Sequence, residues 1–278
     1  MATFSNPQYD AAAYRDHRPA YMRPVYNTIM DYHQGGTEQA MDVATGTGQA
    51  AVELAKLFTK VRATDKSDTM LSQAIRRDNI TYVQEPAERI DLPDKSVDLV
   101  VTAEAAHWFD LTAFQREVQR VLTDRGTLAI WGYNVPLSLH HPRITEALNY
   151  YNDVRLESYW EEGRTLLNDL YGSIKGQNVA NVLQADKDDS RETAATAPFM
   201  PLRRMTLGQL ADYLRTWSPY NTWKRSANAQ TEVDPVDEVM EVVKRTLEEA
   251  AIAQGKEAKD AEQYVDITWR HVVILLRK

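Results

Sequence analysis

The chain contains no cysteine. Disulfides, a thiolate nucleophile and cysteine-ligated metal are therefore excluded. It also lacks an apolar run approaching the ~20 residues that a membrane-spanning helix needs. The opening residues, Met1-Ala2-Thr3-Phe4-Ser5-Asn6, lack the basic-then-apolar order of a secretory leader. A cytoplasmic protein without membrane contact is the expectation. Positive charge is scarce: 40 acidic residues against 32 basic ones leave a formal net charge of −8. This balance argues against a nucleic-acid partner, whose affinity rests on phosphate neutralisation. No spacing around His140 and His141 with Asp153 or Glu157 matches a closed metal site, so no metal is expected. Internal repeats and low-complexity tracts are absent as well. What remains is a chain of 278 residues, long enough for one large domain or a core with an appended cap.

The most informative stretch is Met41-Asp42-Val43-Ala44-Thr45-Gly46-Thr47-Gly48. It reads as an apolar strand running into a glycine-rich turn and then an amphipathic helix. Asp65 closes the next short apolar run, 65 − 42 = 23 residues beyond Asp42. Gly46 and Gly48 allow the positive φ and close backbone approach that a nucleotide-like ligand needs. A carboxylate at the end of the second strand is where a doubly wound sheet meets ribose hydroxyls. An adenosine-containing cofactor is implied. Gly46-Thr47-Gly48-Gln49-Ala50-Ala51 also satisfies the dinucleotide pattern, but Asp42 would place a negative charge against a pyrophosphate. S-adenosylmethionine has no phosphate and carries a sulfonium and an ammonium, so there the same carboxylate is attractive.

Short apolar runs near 39–44, 60–64, 80–84, 97–103 and 126–133 alternate with helical segments. This rhythm implies a parallel sheet. Tyr9, Tyr14, Tyr21, Tyr26, Ile29 and Tyr32 recur at helical spacing, broken by Pro19 and Pro24, so two helices are predicted before the first strand. Residues 134–230 are helical, aromatic and charged, with a mobile acidic stretch expected at 186–192. Phe199 to Arg204 is a candidate added strand. A long helix at about 235–254 precedes a closing strand at 266–276.

From these residues the chain resembles the class I S-adenosylmethionine-dependent methyltransferases. Their first motif, Asp/Glu-x-Gly-x-Gly-x-Gly, matches from Asp42 onward except at the first glycine, which is Ala44. Further matches follow in order. They are Ser67-x-x-Met70-Leu71-x-x-Ala74, Pro86-Ala87-Glu88, Leu92-Pro93-Asp94-Lys95-Ser96-Val97-Asp98-Leu99-Val100-Val101, and Ala103-Glu104-Ala105-Ala106-His107-Trp108-Phe109-Asp110. The resemblance implies an α/β, Rossmann-like fold with a mostly parallel seven-stranded sheet, helices on both faces and a helical cap. It implies an N-terminal helical lid at 1–36, a core at 37–134 and 231–278, and a substrate cap at 135–230. Tyr14-Arg15-Asp16-His17-Arg18-Pro19-Ala20-Tyr21, Tyr159-Trp160-Glu161-Glu162-Gly163-Arg164 and Leu214-Arg215-Thr216-Trp217-Ser218 look like the trans-aconitate methyltransferase branch. That branch includes fungal gliotoxin-type bis-thiomethyltransferases as well as enzymes acting on small dicarboxylic acids.

The resemblance implies that Asp42, Ala44, Gly46, Gly48 and Asp65 hold the cofactor, with Ala87 and Glu88 at the adenine edge and Glu104 at its amino-acid end. Tyr14 and Arg18 join this set from the lid. His107, whose unperturbed pKa lies near neutrality, is the candidate base near the reacting centre. Trp108, Tyr133, Trp160, Arg164 and Trp217 are the candidate acceptor contacts. The acceptor is expected to be a small thiol or dithiol, with a small carboxylic acid as the alternative and a non-catalytic cofactor-binding protein behind both. A monomer or weak homodimer is expected.

Overall fold

The structure is a computed structural model and describes residues 3–18, 21–161, 163–168, 170–171, 181–184 and 202–278. The acidic stretch at 186–192 and the first part of the candidate strand, 199–201, lie outside these residues. Helices α1 (Ala11–His17) and α2 (Arg23–Tyr32) lead into β1 (Gln39–Val43), α3 (Gln49–Leu54), β2 (Lys60–Asp65), α4 (Asp68–Ser72) and β3 (Ile80–Gln84). Then follow β4 (Val97–Ala103), α5 (Leu111–Val121) and β5 (Leu122–Ser138). The second half contains α6 (Pro142–Tyr150), α7 (Arg164–Asn168), β6 (Asn181–Gln184), β7 (Arg203–Thr206), α8 (Leu207–Arg215) and α9 (Ser218–Lys224). It closes with α10 (Pro235–Ala253) and β8 (Tyr264–Arg277).

Seven strands lie in the order β3-β2-β1-β4-β5-β8-β6, and β7 pairs with the beginning of β8. Strands β1 to β5 are mutually parallel, whereas β8 runs antiparallel to β5, β6 and β7. The sequence expected seven strands; β6 is the addition. Only Val182 and Leu183 are apolar in it, too few to show a period.

The central strands are apolar on both sides because both faces are covered. Leu128 and Ile130 of β5 join Phe114, Val118 and Val121 of α5 in one cluster. Ala129 and Trp131, alternating with them, point the other way into Val25 and Ile29 of α2 and Leu54 of α3. Helix α5 starts where it does because Asp110 accepts the Thr112 and Ala113 N–H groups, and its buried residues recur at helical spacing.

A third cluster carries the cap. Strands β5 and β8 continue past the sheet, and Val135, Ile267 and Trp269 on them pack with Leu148, Leu210 and Leu214. Val236, Val243 and Leu247 of α10 belong to this cluster too. The sequence reading grouped α10 with the sheet core; its apolar face instead packs against α6 and α8.

Candidate active site

Strands β1 and β4 are neighbours, but the chain leaves them toward opposite edges of the sheet. Their carboxyl ends therefore open a crevice, the usual ligand site of such sheets. After β1 the turn has φ of 56° at Ala44, 57° at Gly46 and 87° at Gly48. Only glycine adopts this conformation freely, and at Gly48 a side chain would collide with the Tyr82 hydroxyl. Ala44 accepts the left-handed conformation at a cost of about 1–2 kcal/mol.

Asp65 fixes that turn from the neighbouring strand. Its Oδ2 accepts the Gly46 N–H at 2.9 Å and its Oδ1 the Ser67 N–H at 2.8 Å. Each oxygen retains a further lone pair, and Asp65 lines the cleft. Asp42 is 1% exposed. Its Oδ2 accepts the Thr45 hydroxyl proton; among the described residues Oδ1 has no full hydrogen bond, although the Ala51 backbone N–H also favours the charged carboxylate. Burial pushes its carboxyl up to about 7, against the pull of the Thr45 bond.

The cleft spans about 770 Å³ of non-atom space, part of it open to solvent. Ala44, Gly46 and Asp65 form its floor; Glu104, His107 and Trp108 enter from the segment after β4. The segments before α2 and after β5 cover it, with Tyr14, Arg18, Trp160, Arg164 and Trp217 lining it, and Tyr133 enters from β5 itself. Among the expected site residues, these are brought together. Gly48 shapes the turn without lining the cleft.

Ala87 and Glu88 are placed elsewhere. Ala87 packs beside Ile90 against the α5 face, and Glu88 accepts the Asp110 N–H at 3.1 Å, at the start of α5. The deeply buried acid of that region is Glu85, whose carboxylate lies 2.6 Å from Arg62.

Two guanidinium groups stand in the cleft. Arg18 lies 5.0 Å over the Tyr14 ring and 5.6 Å over Tyr213, and donates to the Tyr133 hydroxyl and the Thr216 carbonyl, each at 3.4 Å. Arg164 lies 4.2 Å over Trp160 and donates to Asn152 Oδ1 at 3.2 Å. The Nε of each is buried without a partner. Among the described residues neither arginine has a carboxylate at ion-pair distance. Desolvation lowers the pKa of Arg164. Glu104, at φ 57°, accepts the Tyr133 N–H, and burial raises its carboxyl to about 7 despite the two arginines.

His107 does not fit the role of a base. It is 7% exposed on a 3₁₀ turn, with Nδ1 2.8 Å from the Tyr171 hydroxyl and its ring centroid 4.4 Å from that of Trp108. Burial, and then the charge of Arg164, lower its pKa to about 3. A base that weak holds no proton at neutral pH and gains little from taking one. We expect His107→Gln, which keeps hydrogen-bonding capacity, to retain turnover within about fivefold. Its kcat–pH profile between 5 and 8 should match that of the parent; a lost inflection near 6.5 would restore the base role. The carbonyl of His107 leaves no room for a side chain at Gly163, which has φ 98°. This contact seats the start of α7, and with it Arg164, against the His107 turn.

Phe4, Asn134, Leu167 and Tyr213 line the cleft without having been singled out in the sequence, and Asn152 holds Arg164. Tyr213 is one of the buried apolar residues of α8 and carries no signal that sets it apart from its core neighbours. Phe4 and Asn152 carry no periodic signal. Among the described residues no group of three or more His, Asp or Glu suits a metal ion, and no helix is long and apolar enough to cross a membrane.

Residues 41–130, which hold the glycine turn, Asp65 and the His107 turn, match the family model described as Methyltransferase domain. The chain is 29% identical over 268 residues to a Dictyostelium discoideum protein named as a methyltransferase, covering 96% of this chain and 92% of that one. It is also 29% identical over 257 residues to CRG1 of Saccharomyces cerevisiae, named as an S-adenosylmethionine-dependent methyltransferase, covering 83% and 86%. A solved structure from Anaeromyxobacter dehalogenans, described as a type II methyltransferase, superposes with a TM-score of 0.70 at 24% identity. That alignment spans 94% of this chain and 97% of that one. The fold is therefore that of the class I, Rossmann-like methyltransferases. The chain is a methyltransferase, with its methyltransferase domain at residues 41–130.

Proposed function

We propose that the enzyme methylates a carboxylate of a small organic acid held by Arg164, with the cofactor's amino-acid end between Asp42 and Arg18 and its ribose at Asp65. The unmatched Asp42 Oδ1 and Arg18 Nε are a buried acceptor and a buried donor, which fits a ligand carrying an ammonium and a carboxylate. The cofactor supplies a methyl group on a sulfonium. Everything else required is binding, orientation and exclusion of water, which for well-placed reactants lowers the barrier by up to about 7–11 kcal/mol.

The observation that carries the acceptor reading is Arg164. Among the described residues no carboxylate stands at ion-pair distance from Arg164, Glu104 acting on it only from further off, and a desolvated guanidinium so placed costs several kcal/mol. An anionic acceptor supplies the missing partner, bidentately if it is a carboxylate. Such an acceptor is already ionised at neutral pH, so it needs no base, consistent with the depressed pKa of His107. The aromatic faces of Trp108, Trp160 and Trp217 favour an apolar body on the same molecule. The resemblance had pointed first to a thiol, and the guanidinium would also favour a thiolate.

The test is methyl transfer from S-adenosylmethionine to a panel of small di- and tricarboxylic acids beside a panel of small mono- and dithiols. Methyl esters are the expected principal products. Thioethers formed at least tenfold faster would replace the carboxylate reading with the thiol one.

A further inference from the structure

Helix α6 ends in a single π-helical turn, Tyr151–Arg155. Such turns alter the direction of a side chain and recur at functional sites. The residue redirected here is Asn152, 2% exposed although its neighbours Asp153 and Val154 reach solvent. Its Oδ1 accepts from Arg164 at 3.2 Å, and its backbone carbonyl accepts the Trp160 indole N–H at 3.0 Å. One residue thus holds both members of the stacked Arg164–Trp160 pair, whose guanidinium and ring are 4.2 Å apart. The amide orientation follows from chemistry: arginine only donates, so the oxygen faces it, and the amide nitrogen donates to the Asp153 carboxylate.

We infer that Asn152 is the positioning residue that makes the cleft selective for anionic acceptors, because it fixes Arg164 without neutralising it. This rests on the acceptor reading above. A carboxylate at the same position would hold the guanidinium as firmly and cancel the charge the acceptor needs. A neutral amide keeps the arginine aimed and still attractive to a second anion. Asn152 does not itself touch the cleft; it acts through Arg164 and Trp160.

The experiment is calorimetric titration of the full chain, saturated with S-adenosylhomocysteine, using glutarate, tricarballylate and the neutral diamide glutaramide as probes. Parent protein is expected to bind at least one acid more tightly than the diamide. Asn152→Asp should weaken acid binding at least tenfold and leave diamide binding within twofold, so that the acid preference collapses. Asn152→Ala, which removes the acceptor atom without adding charge, should weaken acid binding about three- to tenfold. Affinity for S-adenosylhomocysteine should stay within twofold in both, which also verifies folding. Acid preference retained in both Asn152 variants but lost in Arg164→Met overturns the role of Asn152 alone. Acid preference retained in Arg164→Met overturns the acceptor reading. A parent protein that binds no acid more tightly than the diamide overturns both.

Discussion

Replacing Arg164 by methionine is expected to lower kcat/KM for small carboxylate acceptors about 30- to 150-fold while leaving affinity for S-adenosylhomocysteine within about threefold. The magnitude follows from a charge-assisted hydrogen bond of roughly 2–3 kcal/mol made to the acceptor. Stability should move the other way. Packing around Arg164 shields its guanidinium and lowers its pKa, its Nε is unmatched, and among the described residues no carboxylate stands at ion-pair distance. Methionine keeps much of the apolar stem against Trp160 and removes a buried charge, a change that is often neutral or stabilising. An unchanged or raised melting temperature together with lost turnover is the signature of a group kept for binding. Turnover unchanged on carboxylates would separate Arg164 from the acceptor, and a fall in melting temperature would mark it as structural.

The second large effect is expected at Asp42. Its buried carboxyl is raised to about 7 in the ligand-free protein, against about 3.9 in an unfolded chain. The folded state therefore binds this proton more tightly than the unfolded one. The stabilising contribution is fully present below pH ~4 and is lost as pH rises to about 7. Asp42→Asn removes that penalty. The ligand-free variant should match the parent below pH ~4 and exceed it by on the order of a few kcal/mol at pH 8. Binding should change in the opposite sense. Parent affinity for S-adenosylhomocysteine should rise with pH through about 7, as the carboxylate that faces the ligand's ammonium ionises. The asparagine variant should bind roughly 10- to 100-fold more weakly at pH 8, with a flat pH profile. Calorimetric titration across pH 5–8, beside thermal melts, measures both. Equal affinity in the two proteins at pH 8 would remove Asp42 from the cofactor site.

The core was legible because its signals are local. The central parallel strands β1, β4 and β5 are largely apolar runs buried on both faces, and the loop after β1 carries the residues that turn it. Met41 to Gly48 announces strand and turn in eight residues, with the helix starting at Gln49, and the expected strand at 97–103 is where β4 lies. The long helix near 235–254 was equally plain in its period, yet nothing in that period says which surface covers it. Its partners, α6 and α8, are separated from it by loops and become neighbours only because β5 and β8 extend past the sheet. The short β6 was invisible for a related reason: two apolar residues have no period, and its pairing is decided by the exposed edge of β8.

The site divides along the same line. Residue type and spacing determined that a carboxylate would stand behind a left-handed turn at the end of β1, that a second would follow on β2, and that an adenosine-bearing cofactor suits them. Tertiary structure decided their surroundings. Burial moved His107 from a candidate base to a neutral imidazole and raised Asp42 and Glu104 toward neutrality, since a pKa depends on the dielectric and charges around a group rather than on its neighbours in sequence. Glu88 was drawn to the start of α5, away from the cleft. Arg18 and Arg164, 146 positions apart (164 − 18), face one cavity, and Asn152 reaches Arg164 from a π-turn that no sequence pattern marks. The fold class, and the suitability of an adenosine-bearing cofactor, are written in contiguous segments and could be read from the chain alone. The choice of acceptor depends on charges gathered from distant segments and stripped of water, and only the packed cap brings them together.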